Sequence, residues 1–292
     1  MPNDRRLGVV IPDPPYPAPV PAALVTGAGR GLGLAIARAL AGRGYEVAVS
    51  DVDGDAAASA AEAIGAGAWS LRLDVTDADG CHAAARAVAE RAGSLDLWVN
   101  NAGVLLPGVA FDQDPAETRL MLEVNAVGTF NGTVAALELM RPAGSGHVIN
   151  VVSLAGLVAA PGEVAYSASK HAALAFSIGT LADLRRTGVK DIDISAVCPT
   201  GIWSPMLADK LDDPDAAASF SSALATTDEV AAKMMAVVER PRPVVSIPRW
   251  RGAFVRLLDA FPGLTLRLLP LVMADARRRQ QRFKRKLERQ AG

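Results

Sequence analysis

Short, almost uninterrupted apolar runs alternate along this chain with longer stretches of helical periodicity. The runs fall near 22–26, 46–50, 69–73, 95–100, 146–152, 192–198 and 243–247, the pattern of strands buried on both faces. Between them, apolar residues recur at three- and four-residue spacing near 31–42, 55–64, 77–92, 115–140, 164–187 and 226–239, which predicts amphipathic helices. This alternation predicts an α/β fold with a parallel sheet of about seven strands covered by helices on both faces. The two ends break the pattern. Prolines 12, 14, 15, 17, 19 and 21 predict an extended tail over 1–20. Residues 249–292 follow the α/β domain of 21–248 as a separate extension.

Composition narrows the picture. Half of the 292 residues are hydrophobic, enough for one large core. The two cysteines, Cys81 and Cys198, have no metal-ligand spacing, so no metal is expected and both read as buried, inert thiols. With no apolar leader and no run near 18 apolar residues, the expectation is a cytoplasmic protein without a spanning helix.

A formal charge of −1 conceals an asymmetry: residues 249–292 carry +9 and the rest −10. The basic stretch is interleaved with Phe254, Leu257, Leu258, Phe261, Leu264 and other apolar residues, and Pro262 and Pro270 are expected to break it into short helices. It reads either as a cover over a pocket or a neighbouring subunit, or as a peripheral contact with an anionic membrane. No nucleic-acid-binding module accompanies the charge, so nucleic acid is not an expected partner.

Chemistry enters at Tyr166 and Lys170. Four residues apart on a predicted helix, they share one face. A phenol titrates near 10, and a fixed positive charge beside it favours the phenolate. Ser153 ends an apolar run thirteen residues upstream, and its hydroxyl can hold an oxygen that gains or loses the proton. The three read as an acid/base set for a carbinol or carbonyl. Near the start, the strand Ala22–Thr26 runs into the turn Gly27-Ala28-Gly29-Arg30-Gly31-Leu32-Gly33 and then a helix, a cradle for a dinucleotide pyrophosphate. Its spacing is T-G-x-x-x-G-x-G.

With these motifs together, the chain from Pro21 to Pro248 resembles the short-chain dehydrogenase/reductase family, in its small single-domain branch. The matching pieces are Thr26-Gly27 to Gly33, Asp74-Val75, Asn100 to Gly103, Asn125, Ser153, Tyr166 with Lys170, and Pro199-Thr200-Gly201. The resemblance implies a Rossmann-like doubly wound sheet, a nicotinamide cofactor and a homodimer or homotetramer built through the two long helices. It implies that Tyr166 exchanges the proton, that Lys170 lowers its pKa and holds the nicotinamide ribose, and that Ser153 binds the substrate oxygen. Asn125 matches the position that kinks its helix and holds a water leading to Lys170. Asp74 and Val75 would meet the adenine, Asn101, Ala102 and Gly103 would line the crevice, and Pro199, Ile202 and Ser204 would touch the carboxamide and phosphate. Thr200 departs from the glycine usual at its position.

Asp51 closes the second strand, where a carboxylate accepts from the adenosine ribose hydroxyls and repels a 2′-phosphate. That favours NAD over NADP, although Arg30 in the glycine turn pulls the other way. The residues placed to face a substrate include Leu105, Leu154, Leu157, Glu163 and Trp203, so a hydrophobic secondary alcohol or ketone is expected. Two other classes stay open: a nucleotide-binding sensor or interaction protein on this scaffold, and a dehydratase or epimerase.

Overall fold

The computed structural model describes residues 20–65 and 67–291. The proline-rich tail therefore lies, but for Val20, outside the described residues. The chain runs β1 (Ala22–Thr26), α1 (Gly31–Ala41), β2 (Glu46–Asp51), α2 (Gly54–Ile64), β3 (Trp69–Arg72), α3 (Ala78–Ala92), β4 (Leu97–Asn100), α4 (Pro115–Leu122), a π-helical turn (Glu123–Val127) and α5 (Gly128–Ala143). It continues with β5 (Gly146–Val151), a 3-10 turn (Leu154–Gly156), α6 (Val164–Arg186), β6 (Ile192–Pro199), β7 (Ile202–Trp203) and α7 (Pro205–Ala208). A 3-10 helix (Pro214–Phe220), β8 (Ala225–Thr226), α8 (Thr227–Glu239), β9 (Val244–Ile247), α9 (Arg249–Ala260) and α10 (Pro262–Ala291) complete it.

Seven strands form one parallel sheet in the order β3-β2-β1-β4-β5-β6-β9. The sequence pattern anticipates all seven. It does not show β7 and β8, whose two residues each are too short for a period. Every residue of β1 is buried, as expected of a strand covered on both faces. One apolar layer packs Ile36 and Leu40 of α1 with Val230, Met234 and Met235 of α8 against Val25, Val49 and Val99. The opposite layer packs Val88 of α3 and Ala135, Ala136 and Met140 of α5 against Leu24, Trp98 and Val148. Chain order reverses between β1 and β4, so the loops after them diverge at a switch point, where parallel α/β sheets open a crevice.

Two predicted helices differ. The periodicity over 115–140 predicts one helix, but a π turn separates α4 from α5. The cause is Asn125: fully buried, it accepts from Val104 N at 2.8 Å and donates to Val104 O and to Ser169 Oγ. The wider turn aims this side chain across to the β4 loop and α6. In the tail, Pro270 does not break the chain into short helices; α10 runs through it. Pro270 and Leu266 both lie in solvent, so the carbonyl deprived of its amide partner turns to water.

Candidate active site

Glycine shapes the floor of the crevice. Gly27 has φ +61°, and a Cβ on it would lie 2.7 Å from Ala102 Cα. A Cβ on Gly33 would lie 2.3 Å from the Gly27 carbonyl, so only glycine lets the turn fold back on α1. Thr26 secures the turn from behind: its Oγ1 accepts from Asn101 N at 2.9 Å and Ala102 N at 3.0 Å, and Asn101 Nδ2 donates to the Thr26 and Gly27 carbonyls. Gly31 differs, since a Cβ there would meet only Pro205 Cδ, 3.6 Å away. The turn is therefore open toward the crevice. The N-terminus of α1 has no side-chain cap and no acidic residue in its first turn, whereas α2 is capped by Asp53 and α8 by a Thr226–Glu229 capping box. Its free amides and partial positive charge are left for an anionic group in the crevice. The cradle fits a dinucleotide pyrophosphate.

Asp51 stands at the edge of this cradle, its Oδ2 accepting from Gly29 N at 3.0 Å and its Oδ1 from Asp53 N at 3.2 Å. Asp53 caps α2, so Asp51 is released from that duty. Asp74 accepts from the Thr76 amide and hydroxyl.

These groups border a continuous cavity of about 1170 Å³, above the roughly 300–1,000 Å³ usual for one small-molecule site. Gly27, Arg30, Gly31, Leu32, Asp51, Asp74, Val75, Asn101, Ala102 and Gly103 line one end. Ser153, Tyr166, Lys170, Pro199, Ile202 and Ser204 line the middle. Thr26, Gly33 and Asn125 lie behind the wall and shape it.

Ser153, Tyr166 and Lys170 converge. The Lys170 Nζ lies 5.8 Å from the Tyr166 ring centroid and donates to the Val151 carbonyl at 3.0 Å. Ser153 Oγ accepts from Ala155 N at 3.1 Å and its hydroxyl hydrogen-bonds the Tyr166 phenol. At Gly103, the missing side chain leaves a gap: a Cβ would sit 3.0 Å from Asn125 Oδ1 and 3.5 Å from Lys170 Nζ. Asn125 is thus fixed beside the lysine instead of facing solvent.

Burial dominates the protonation of this group. It lowers the Lys170 ammonium to about 8, with Cys198 pulling the other way. It raises the Tyr166 phenol above its ordinary value, the Glu163 carboxylate adds to the rise, and the Ser153 hydrogen bond opposes it. The expectation that Lys170 lowers the phenol does not hold in this arrangement.

The substrate-facing set divides. Leu105, Leu154 and Glu163 line the cavity. Leu157 does not; it packs in the core with Val152, Ala173 and Cys198. Trp203 also turns away, meeting Phe283 of α10 edge-on at 4.8 Å. Glu163 is buried, and its Oε1 accepts from Ser219 N at 3.1 Å and Ser219 Oγ at 2.7 Å. Burial, outweighing those hydrogen bonds, raises its carboxyl to about 7. Thr200 fits without the usual glycine, its Oγ1 2.8 Å from Ser222 Oγ. Both cysteines are free, buried and raised to about 12, chiefly by desolvation.

The sequence did not single out Arg251. It lines the cavity from α9, donates from Nη2 to Ser221 Oγ, and keeps a buried Nε without a partner. Leu258, Thr265, Leu268, Leu269, Val272 and Met273 of α9 and α10 also line the cavity, in keeping with the reading of 249–292 as a cover over a pocket. Their helical spacing was the available signal. No group of residues able to hold a metal ion occurs among the described residues.

Comparison with known proteins agrees with the geometry. Residues 21–215 match a family model described as short chain dehydrogenase. The chain is 38% identical over 138 residues to trans-4-hydroxycyclohexanecarboxylate dehydrogenase of Sinomonas cyclohexanicum, covering 47% of this chain and 52% of that protein. It is 37% identical over 153 residues to cyclopentanol dehydrogenase of Comamonas sp. (strain NCIMB 9872), covering 52% and 60%. The matches thus span little more than half of these relatives. A crystal structure of a short chain dehydrogenase/reductase from Burkholderia phymatum in complex with NAD superposes with a TM-score of 0.76 and 26% identity, over 84% of this chain and 95% of that one.

Proposed function

The chain belongs to the short-chain dehydrogenase/reductase family, and from that premise we propose that it is an oxidoreductase interconverting a hydrophobic secondary alcohol and its ketone with NAD. The observation that carries this reading is the convergence of Ser153, Tyr166 and Lys170 on one cavity that also opens onto the glycine cradle. A bound nicotinamide supplies the hydride acceptor or donor for the substrate carbon, and a positive charge when oxidised. Everything else falls to the chain. Gly31, Leu32 and the open N-terminus of α1 hold the pyrophosphate, with Thr26 and Gly33 setting the turn. Arg30 flanks it. Asp51 takes the adenosine ribose and disfavours a 2′-phosphate, which is why NAD is preferred to NADP. Asp74 and Val75 border the adenine, Asn101, Ala102 and Gly103 the ribose side, and Pro199, Ile202 and Ser204 the carboxamide end.

Ser153 donates a hydrogen bond to the substrate oxygen and steadies the charge that develops there. Tyr166 takes the proton from that oxygen during oxidation and returns it during reduction. Lys170 binds the nicotinamide ribose, and Asn125 holds the surroundings of Nζ in register. Because burial keeps the phenol protonated at neutrality, reduction is favoured near pH 7 and oxidation gains as pH rises. Leu105 and Leu154 form apolar contacts with the substrate, and Arg251 meets a polar or acidic group at its far end.

Relatives acting on cyclopentanol and on a hydroxycyclohexanecarboxylate support a cyclic alcohol or ketone as substrate. The two buried, unpaired thiols support a cytoplasmic setting. Exposed Val134 on α5 and Ile178 on α6 support copy-to-copy contact through those helices. The test is a panel of cyclic and open-chain secondary alcohols with NAD and with NADP, followed at the absorbance of the reduced nicotinamide. Reduction of NAD by a cyclic member is the expected result. Cofactor binding without reduction across the panel would favour the sensor reading, and conversion without build-up of reduced cofactor would favour a dehydratase or epimerase.

A further inference from the structure

We propose that α9 and the first half of α10 seat the mouth of the cavity on an anionic lipid surface. Along α9, Trp250, Phe254, Leu257 and Phe261 follow at helical spacing and point outward, Trp250 65%, Leu257 59% and Phe261 58% exposed. The inward face is satisfied: Val255 joins the core beside Val152 and Cys198, and Gly252 lies against Ser246. Among the described residues the outward stripe has no packing partner. Leu264 and Leu271 of α10, 55% and 71% exposed, extend it. Phe254 and Leu271 also line the cavity, so the exposed apolar surface is continuous with the cavity wall. A patch of this kind on a single chain marks a binding surface.

Charge selects the occupant. Residues 249–292 carry +9 against −10 for the rest, so a negative surface attracts this end of the molecule and repels the remainder. Trp250 suits the headgroup boundary, and Arg249, Arg256 and Arg267 stand exposed on the same two helices. No described helix is long and apolar enough to cross a bilayer, so the helices lie in the interface plane. A second copy of the chain is the weaker occupant: two identical net-positive faces, four arginines against one aspartate over 249–271, repel, and α5 and α6 offer another surface for that contact. The consequence for turnover, entry of a bilayer-dissolved alcohol or ketone directly into the cavity, rests on the function proposed above; the docking does not.

The test is co-sedimentation of the full chain with vesicles of phosphatidylcholine, with and without phosphatidylglycerol, at low and high salt. A variant combining Leu257→Ser, Phe261→Ser and Leu264→Ser, all outside the cavity wall, runs beside it. The expected result is binding to the anionic vesicles only, weakened by salt, and reduced about tenfold or more in the variant. Turnover of a short water-soluble alcohol stays unchanged. Absence of binding by the unaltered chain, or equal binding by the variant, would overturn the proposal. So would a drop in solution mass on making the variant, which assigns the face to a contact between copies. Should neither protein turn over any alcohol, the functional reading fails while sedimentation still decides the docking.

Discussion

Glu163 precedes Tyr166 by three residues, and its carboxylate faces two ways. It holds Ser219 by two hydrogen bonds and raises the phenol by charge repulsion. Glu163→Gln keeps an acceptor for Ser219 and removes the charge. Oxidation of alcohol in that variant should rise at a lower pH than in the unaltered enzyme, measured from kcat against pH; an unmoved profile would remove Glu163 from the proton's surroundings. Stability carries a second signature. The carboxyl is raised from 4.5 to about 7, so the folded state prefers it protonated. Its contribution is complete below about 4.5 and is lost as pH climbs to 7. The variant lacks that loss, and its advantage over the unaltered chain should open across this window to about 3 kcal/mol in denaturant titrations. Tyr166 and Lys170 were legible in the sequence because their relation is local, one turn of one helix. The second role of Glu163 was not, because its partner lies 56 residues away. Arg251 escaped for the same reason.

At the scale of elements, the π turn and α10 both express contacts that periodicity does not encode. Asn125 sits in a helical pattern, and only its hydrogen bonds to Val104 and Ser169 show why the helix widens there. The single helix α10 is held by its second half. Gln280 Nε2 donates to the carbonyls of Leu211 at 3.0 Å and Asp213 at 2.8 Å, and Lys284 pairs with Asp212. Phe283 packs against Trp203 and Phe220. These contacts tie α10 to the segment that closes the cavity, so Phe283→Ala should loosen it. The expected cost is about 1–2 kcal/mol for a half-buried ring, read from thermal melts. KM for alcohol should rise more than kcat falls. A normal KM with an unchanged melt would mean that α10 does not brace the cavity.

The whole molecule was legible where strands are buried on both faces, because short apolar runs such as Ala22–Thr26 and Leu97–Val99 fit a strand covered on both sides. The tail was legible as charge and apolar spacing able to cover a pocket; which of its residues line the cavity follows from tertiary packing. On the proposed function these scales join: a cradle at the switch point would hold a dinucleotide, and a half-buried tyrosine and serine with a buried lysine would work on an alcohol beside it. The most direct measurement sets Tyr166→Phe against the unaltered enzyme, with NAD affinity from calorimetry and alcohol oxidation from the absorbance of reduced nicotinamide. NAD affinity should stay within about twofold while oxidation falls by about a hundredfold or more. Oxidation at an equal rate in the variant would contradict the account.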